Sequence, residues 1–422
     1  MNKTRKLQFI VLILITFFIG YFIGTSKISV DWKNYKPILS VTSKEPPAGV
    51  SADFSNFWAV WQGVNDKYYD KTKVDPQKML NGAISGMLSA LEDPFTLYLP
   101  PVSNNDFKQG MAGEFSGIGA ELGMKDNKIV VISPLSDSPA IAAGIKPEDL
   151  IHKVDGASTQ GWTLSQTVSK IRGPKGTSVT LNIQHKDSKT AIDVKIVRGV
   201  ITVKSIDGYV KKIKDVAGIK MTDSIKAGGE KEIMYLKLSQ FGDKTNSDWE
   251  ALINQLNLKV QNNPNFKGII LDLRNNPGGY LTDAAFITSE FIEKGQPVVM
   301  QEESGGGRTK LNADRRGLLL TQPLVVLINK GSASASEIVS GALRDYKRAK
   351  LVGETSFGKG TVQQAQDLGG GAGVHITIAK WLTPKGTWVN GKGLEPDIKV
   401  TPDTKDHAHD LQLEKAIEEL LK

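Results

Sequence analysis

Apolar positions change their spacing along this chain, and each change marks a different kind of element. The first block is unbroken: Leu7 to Gly24 carries no charge and is interrupted only by Gln8 and Thr16. Eighteen helical residues span about 27 Å, close to the hydrocarbon thickness of a bilayer. Residues 27–50 are polar, hold Pro37, Pro46 and Pro47, show no clear period and are expected to be a tether. Phe54, Phe57, Trp58, Trp61, Val64 and Tyr68 then recur at helical spacing, with Ser51 or Asp53 placed to cap them. Asp75-Pro76 predicts a second helix carrying Leu80, Ile84, Met87, Leu88 and Leu91 on one stripe. Both stripes are expected to be core.

Beyond residue 107 the period shortens. Strands are predicted at Ile129–Pro134, Asp149–Gly156 (ending in a turn) and Ser178–Gln184, with helices at Ser138–Gly144 and Leu164–Ile171. From Ile201 strands alternate with helices: strand 233–239, helix 246–258, strand 268–273, helix 281–293, then the strand Pro323–Ile328. Such alternation implies right-handed crossovers and a largely parallel sheet. Leu413, Ile417, Leu420 and Leu421 stripe a last helix.

Composition narrows the function classes. A chain of 422 residues suggests two or three domains, and 40% hydrophobic with 23% charged residues is globular rather than disordered. There is no cysteine, which excludes thiol nucleophiles, disulfides and cysteine zinc sites. The net charge of +8 comes from scattered lysines without an aromatic-interleaved basic stripe, so no nucleic-acid partner is expected. Lys3, Arg5 and Lys6 ahead of residues 7–24 predict a single-pass signal anchor in the cell membrane, with everything after residue 26 extracytoplasmic. The competing reading is signal-peptidase cleavage at Gly24-Thr25-Ser26. The histidines near Asp406–Asp410 are expected to be solvated, and His152, His185 and His375 packed or exposed. No metal or cofactor is expected.

Candidate chemistry gathers between Asn329 and Gln363. The run Pro323–Ile328 reads as a buried strand that turns through small residues into a helix, and a serine falls at the turn. Side chains at such an elbow are exposed, and unpaired N–H groups of the first helical turn can receive developing negative charge. Farther on, Lys359 sits between Gly358 and Gly360, and Lys359, Thr361 and Gln363 share a face if that stretch is extended. A lysine can take a serine proton only when neutral, which requires its pKa to fall from about 10.4 toward 7 by burial. The window Ser356–Gln366 accordingly holds no acidic residue. The plain alternative is that the serines cap a helix and the lysine is a solvated turn.

Gly331-Ser-Ala-Ser-Ala-Ser336-Glu-Ile and Gly353-Glu-Thr-Ser-Phe-Gly-Lys-Gly-Thr-Val-Gln363 together closely resemble the carboxyl-terminal processing, or tail-specific, proteases, and the resemblance extends over most of the chain. It implies Ser334 as nucleophile, Lys359 as base, Gln363 orienting the lysine, and Asp345 matching an acidic position of the intervening helix. It also implies an oxyanion hole from Gly278 or Gly279, in Arg274-Asn-Asn-Pro-Gly-Gly279, together with Ala335. Arg274 and Asp272 are expected to fasten that loop. Phe115 to Val200 resembles a PDZ domain, with Gly117, Ile118, Gly119 and Ala120 as its carboxylate-binding loop. Arg172 is a candidate for coupling peptide binding to activity.

The fold implied is a multidomain α/β protein: a crotonase- or ClpP-like peptidase core with an inserted PDZ domain, a helical N-terminal segment and a transmembrane anchor. The divisions are 1–26 flank and anchor, 27–50 linker, 51–106 helical region, 107–200 PDZ domain, 201–405 peptidase core and 406–422 final helix. The expected partners are protein substrates held by their C-termini, the membrane and, through the helical region, a second copy of the chain. The expected function is a serine endopeptidase cutting extracytoplasmic proteins near their C-termini. The alternatives are a catalytically silent PDZ-containing tail-binding adaptor and an acyl-CoA enzyme on the same core.

Overall fold

The computed structural model describes residues 11–18, 28–33, 36–41, 52–125, 128–135, 138–186, 188–202, 204–403, 406 and 408–422. It divides into two compact units, residues 1–79 and 80–422. In the first, residues 11–18 are helical (α1). The rest of the expected membrane span lies outside the described residues, among which no helix is long and apolar enough to cross a membrane. Residues 28–33 and 36–41 correct the tether reading, the rest of which lies outside the described residues: β1 (Ile28–Lys33) and β2 (Lys36–Val41) pair antiparallel from Ile28↔Val41 to Lys33↔Lys36. Ile28, Val30 and Trp32 alternate with Ser29, Asp31 and Lys33, a period-two signal that the surrounding prolines obscured.

α2 (Ser55–Lys67) starts where Asp53 accepts the Ser55 N–H; Ser51, the other expected cap, lies outside the described residues. α3 (Pro76–Ser89) begins on its proline after Asp75, which accepts the N–H groups of Gln77 and Lys78. The stripes expected to be core are not buried. No residue of α2 or α3 is buried, and Trp58 is 61% exposed.

After α3, most of which belongs to the second unit, come β3 (Leu97–Leu99) and α4 (Pro101–Met111), then a small β domain. Its elements are β4 (Glu114–Gly117), β5 (Ala120–Lys125), β6 (Lys128–Pro134), α5 (Pro139–Ala142), β7 (Leu150–Val154), β8 (Ala157–Ser158), α6 (Leu164–Ile171), β9 (Ser178–Gln184), β10 (Ile192–Val197) and β11 (Gly199–Thr202). The sheet runs β10-β9-β7-β6-β5, so β5 is an edge, and β4 pairs with β11. Alternate residues of the strands, such as Val179, Leu181 and Ile183, fill the core with Ile118, Ile129, Val131 and Ile151.

The remaining chain builds two sheets. The first contains β12 (Ile206–Lys212), β13 (Glu232–Leu238), β14 (Phe266–Asp272), β17 (Leu324–Ile328), β18 (Lys350–Gly353) and β21 (Ile398–Lys399) in the order β12-β13-β14-β17-β18-β21, parallel from β13 onward as the alternation predicts. Helices cover both faces, which is why its central strands read as continuous apolar runs. Ile269, Leu271 and Val326 pack with α8 (Thr245–Val260), α9 (Leu281–Thr288) and α10 (Ala335–Asp345). Ile270, Val325 and Leu327 face α11 (Leu411–Leu421), whose Leu413, Ile417 and Leu420 are buried as expected. α7 (Asp223–Gly228) lies on that same side. The second sheet, β16 (Arg308–Asn312), β15 (Pro297–Glu303), β20 (Ala372–Leu382) and β19 (Thr361–Gly369), has β3 added to β20. The loops after β14, β17 and β18 leave the same carboxyl edge of the parallel sheet, where sites form in open α/β sheets.

Candidate active site

β17 is buried at every position and delivers the chain to a tight elbow. Of the three serines there, two are committed to holding the elbow. Ser332 Oγ donates to the Leu273 carbonyl at 2.8 Å and Ser336 Oγ to the Asn276 carbonyl at 2.9 Å, both side chains being fully buried. Ser334 lies between them at the N-cap of α10, partly exposed, with φ of +55°. That left-handed conformation is strained for a residue with a Cβ and is typical of a nucleophile elbow.

The loop after β14 packs directly beneath. A Cβ on Gly278 would lie 2.8 Å from Ser334 Cβ and 2.9 Å from the Ala335 nitrogen, and one on Gly279 would collide with the Phe241 carbonyl oxygen. With φ of +95° and +143°, both positions require glycine. The amides are not equivalent. Gly278 N–H donates to Asn276 Oδ1 at 2.9 Å, whereas the N–H groups of Gly279 and Ala335 have no acceptor among the described residues. Arg274 fastens this loop as expected, pairing with Asp272 and with Asp410 at the start of α11. Those carboxylates hold its guanidinium above its ordinary pKa despite burial.

The third loop, after β18, carries Lys359. Its backbone is fixed from both sides: Trp381 Nε1 donates to Lys359 O at 2.8 Å and Trp388 Nε1 to Gly360 O at 2.9 Å. Glu337, fully buried in the first turn of α10, joins this loop to the elbow. One carboxylate oxygen accepts from Ser334 N–H and Lys359 N–H, each at 2.9 Å; the other accepts from Ser356 Oγ and Gly358 N–H. The resemblance did not single out Glu337, yet the sequence holds its signal: Ser334-x-x-Glu337 is the spacing at which a helix N-terminus is closed reciprocally.

Burial pushes the Lys359 amine below its ordinary pKa, against the opposing influence of Asp93 and Glu337. Acidic groups therefore do stand near the lysine. They come from distant parts of the chain that the local window did not contain. The Lys359 Nζ lies 4.9 Å from the centre of the Phe95 ring and makes no hydrogen bond or ion pair among the described residues, to Ser334 Oγ included.

The other candidates are placed as follows. Gln363 Nε2 donates to Thr361 Oγ1 at 2.8 Å and Thr377 Oγ1 at 3.0 Å, and not to the lysine. Asp345 sits at the far end of α10, roughly 15 Å of helix from Ser334 at about 1.5 Å per residue, and accepts the Lys385 N–H. His409 corrects the solvated-histidine reading, because its ring is buried between Asp403 (3.3 Å) and Glu414 (2.8 Å). The Glu414 hydrogen bond, then Asp403, raise its pKa against burial.

Gly117, Ile118, Gly119 and Ala120 line a cleft of about 230 Å³ between β5 and α6, with Leu122, Leu135, Val168 and Ile171 as apolar walls. The Ile118 and Gly119 amides have no acceptor among the described residues. Arg172 caps α6 at the rim and lies over the Phe115 ring at 4.9 Å.

The sequence matches the family descriptions "Peptidase family S41" over residues 232–400, "PDZ domain" over 116–196 and "Activating protease CtpB N-terminal domain" over 18–101. It is 37% identical over 358 residues to "Carboxy-terminal processing protease CtpB" of Bacillus subtilis, covering 84% of this chain and 69% of that protein. To "Carboxy-terminal-processing protease" of Bartonella bacilliformis it is 39% identical over 346 residues, covering 82% and 74%. Among solved structures it is similar to the photosystem II D1 C-terminal processing protease, at 28% identity and a TM-score of 0.50, covering 86% of this chain and 96% of that one.

Proposed function

The chain belongs to peptidase family S41, the carboxy-terminal processing serine proteases, and we propose that within it Ser334 is the nucleophile and Lys359 the base. One observation carries the assignment. Of the three serines at the elbow, Ser332 and Ser336 donate their hydroxyls to carbonyls of the loop after β14 while Ser334 donates to none, and the Glu337 carboxylate that fixes the Ser334 amide also fixes the amide of Lys359. In the reaction, neutral Lys359 Nζ takes the Ser334 Oγ proton as Oγ bonds to the scissile carbonyl carbon. The resulting oxyanion faces the Gly279 and Ala335 amides, the two donors of the elbow that have no acceptor among the described residues. The carbon–nitrogen bond then breaks, the ammonium of Lys359 protonates the departing amine, and water hydrolyses the ester by the same proton relay.

The cleft around Ile118 and Gly119 suits the carboxylate of a polypeptide end, with the preceding residues added as a strand to the open edge of β5. The uncharged run 7–24 behind Lys3, Arg5 and Lys6 supports a membrane-tethered enzyme whose substrates are extracytoplasmic. The exposed aromatic face of α2 supports self-association. The decisive experiment pairs Ser334→Ala with a serine-directed acylating probe. Peptide cleavage and labelling should both vanish while tail binding persists. Cleavage retained by the purified variant defeats the assignment, and wild-type protein that binds tails but is never labelled is instead an adaptor.

A further inference from the structure

The turn that precedes β3, Asp93-Pro94-Phe95-Thr96, is remote in sequence from every part of the proposed site, yet it closes over the lysine. Its Asp93 carboxylate is held in place by its own turn: Oδ1 accepts Phe95 N–H at 3.0 Å and Oδ2 accepts Thr96 Oγ1 at 2.7 Å. Thr96, almost wholly buried, in turn accepts the Thr377 N–H at 3.0 Å, and β3 continues the attachment to β20 from Leu97 to Leu99. Although burial opposes it, hydrogen bonds from the Thr377 side chain, then from the Thr96 hydroxyl and the Phe95 N–H, keep Asp93 below the ordinary carboxylate range, so it is negatively charged at neutral pH.

Phe95 presents its ring to the amine at 4.9 Å, a distance at which an aromatic face favours a cation. Asp93 and Lys359 form no ion pair, since the carboxylate is committed elsewhere, but they lie close enough to influence one another. Three titratable groups therefore surround the lysine. Asp93 faces it from the turn and Glu337 from α10. His375 of β20 is itself held below its ordinary pKa by burial and by the lysine charge.

Resting on the dyad reading above, we propose that the 93–96 turn is a latch on the general base: Asp93 is a positioning residue that, with the Phe95 ring, keeps Lys359 in its charged, resting form while the turn is closed. Burial alone pushes the amine toward the neutral base, and the latch works against it. A carboxylate held short of contact serves this end better than an ion pair, because the turn can lift without breaking a salt bridge. The chain runs from this turn through β3 and α4 into β4, whose Phe115, Ser116 and Gly117 line the tail-binding cleft. The latch is therefore joined to the cleft through β3 and α4.

The test reads the amine directly. In full-length Ser334→Ala protein labelled with carbon-13 at lysine Cε, the Lys359 resonance, assigned by its loss in Lys359→Arg, is titrated with and without Asp93→Asn. The substitution should lower the Lys359 midpoint by roughly one unit, and in the active protein it should move the acid limb of kcat/KM down by the same amount. Phe95→Leu, which keeps an apolar cover and removes the ring, should move both in the same direction by less, and it stands in if Asp93→Asn does not fold. An unmoved resonance, or activity reduced equally at every pH without a shift of the limb, overturns the latch and leaves the turn merely structural. Because the titration is made in Ser334→Ala, it is independent of the dyad, whose own failure would show as cleavage retained by that variant.

Discussion

Glu337 has no exposed surface, and a buried carboxylate persists only if its charge is met. Four donors meet it here, three backbone N–H groups and one hydroxyl, and they belong to the two loops that any serine-lysine chemistry must keep in register. Charge-assisted bonds of this kind are roughly twice as strong as neutral ones. Glu337→Gln keeps the shape but turns an amide NH₂ toward N–H donors. It should cost about 3 kcal/mol or more by leaving buried donors unpaired, and lower kcat by about 100-fold through misplacement of the base. Denaturant unfolding and single-turnover kinetics on the same preparation check both. At this scale the sequence was legible where a residue's neighbours are local. Ser334 and Lys359 could be singled out by motif; Glu337 was not singled out, although its spacing from the serine carries a signal. Nor were Asp93 and Phe95, because what brings them to the lysine is the pairing of β3 with β20, a contact between segments nearly three hundred residues apart.

At the scale of elements, the parallel strands could be read from apolar runs, and with them the edge from which the active loops emerge. What could not be read is how the chain end secures that edge. Asp410 accepts the Leu413 N–H at the start of α11 while pairing with Arg274 of the glycine loop, so one carboxylate caps a helix and anchors the floor beneath Ser334. Beside it, His409 lies between Glu414 and Asp403. A histidine whose folded pKa is raised contributes stability that is complete below its unfolded value near 6.5 and is lost as pH rises through the higher folded value. The melting temperature should therefore fall on going from about pH 6 to pH 8 by more in the wild type than in His409→Gln, in which the titration is absent. Parallel curves for the two proteins would remove the histidine from the account. Its two neighbouring aspartates made the segment look like a solvated polar tail, and only the packing of α11 shows otherwise.

At the scale of the whole molecule, two places that present unpaired backbone N–H groups among the described residues are built into residues 80–422. The cleft presents two amides without acceptors among the described residues beside an open strand edge, and the elbow presents two more beside a strained serine. Both suit an extended polypeptide, but the cleft alone suits a terminal carboxylate, because successive N–H groups in a glycine turn form a cradle for an anion. This division of labour predicts how the rate depends on the substrate end. Amidating the C-terminus of a long peptide removes the anion while leaving the scissile bond and every other residue unchanged. If tail capture delivers substrate to Ser334, kcat/KM should fall by at least about tenfold, the equivalent of roughly 1.4 kcal/mol of lost carboxylate binding. KM should carry the loss if capture merely raises the local concentration of substrate, whereas a fall in kcat would mean that the bound carboxylate changes the state of the catalytic loops. The second outcome is the one expected if the bound carboxylate also lifts the 93–96 latch. Equal rates for the free and amidated peptides would separate the cleft from catalysis altogether.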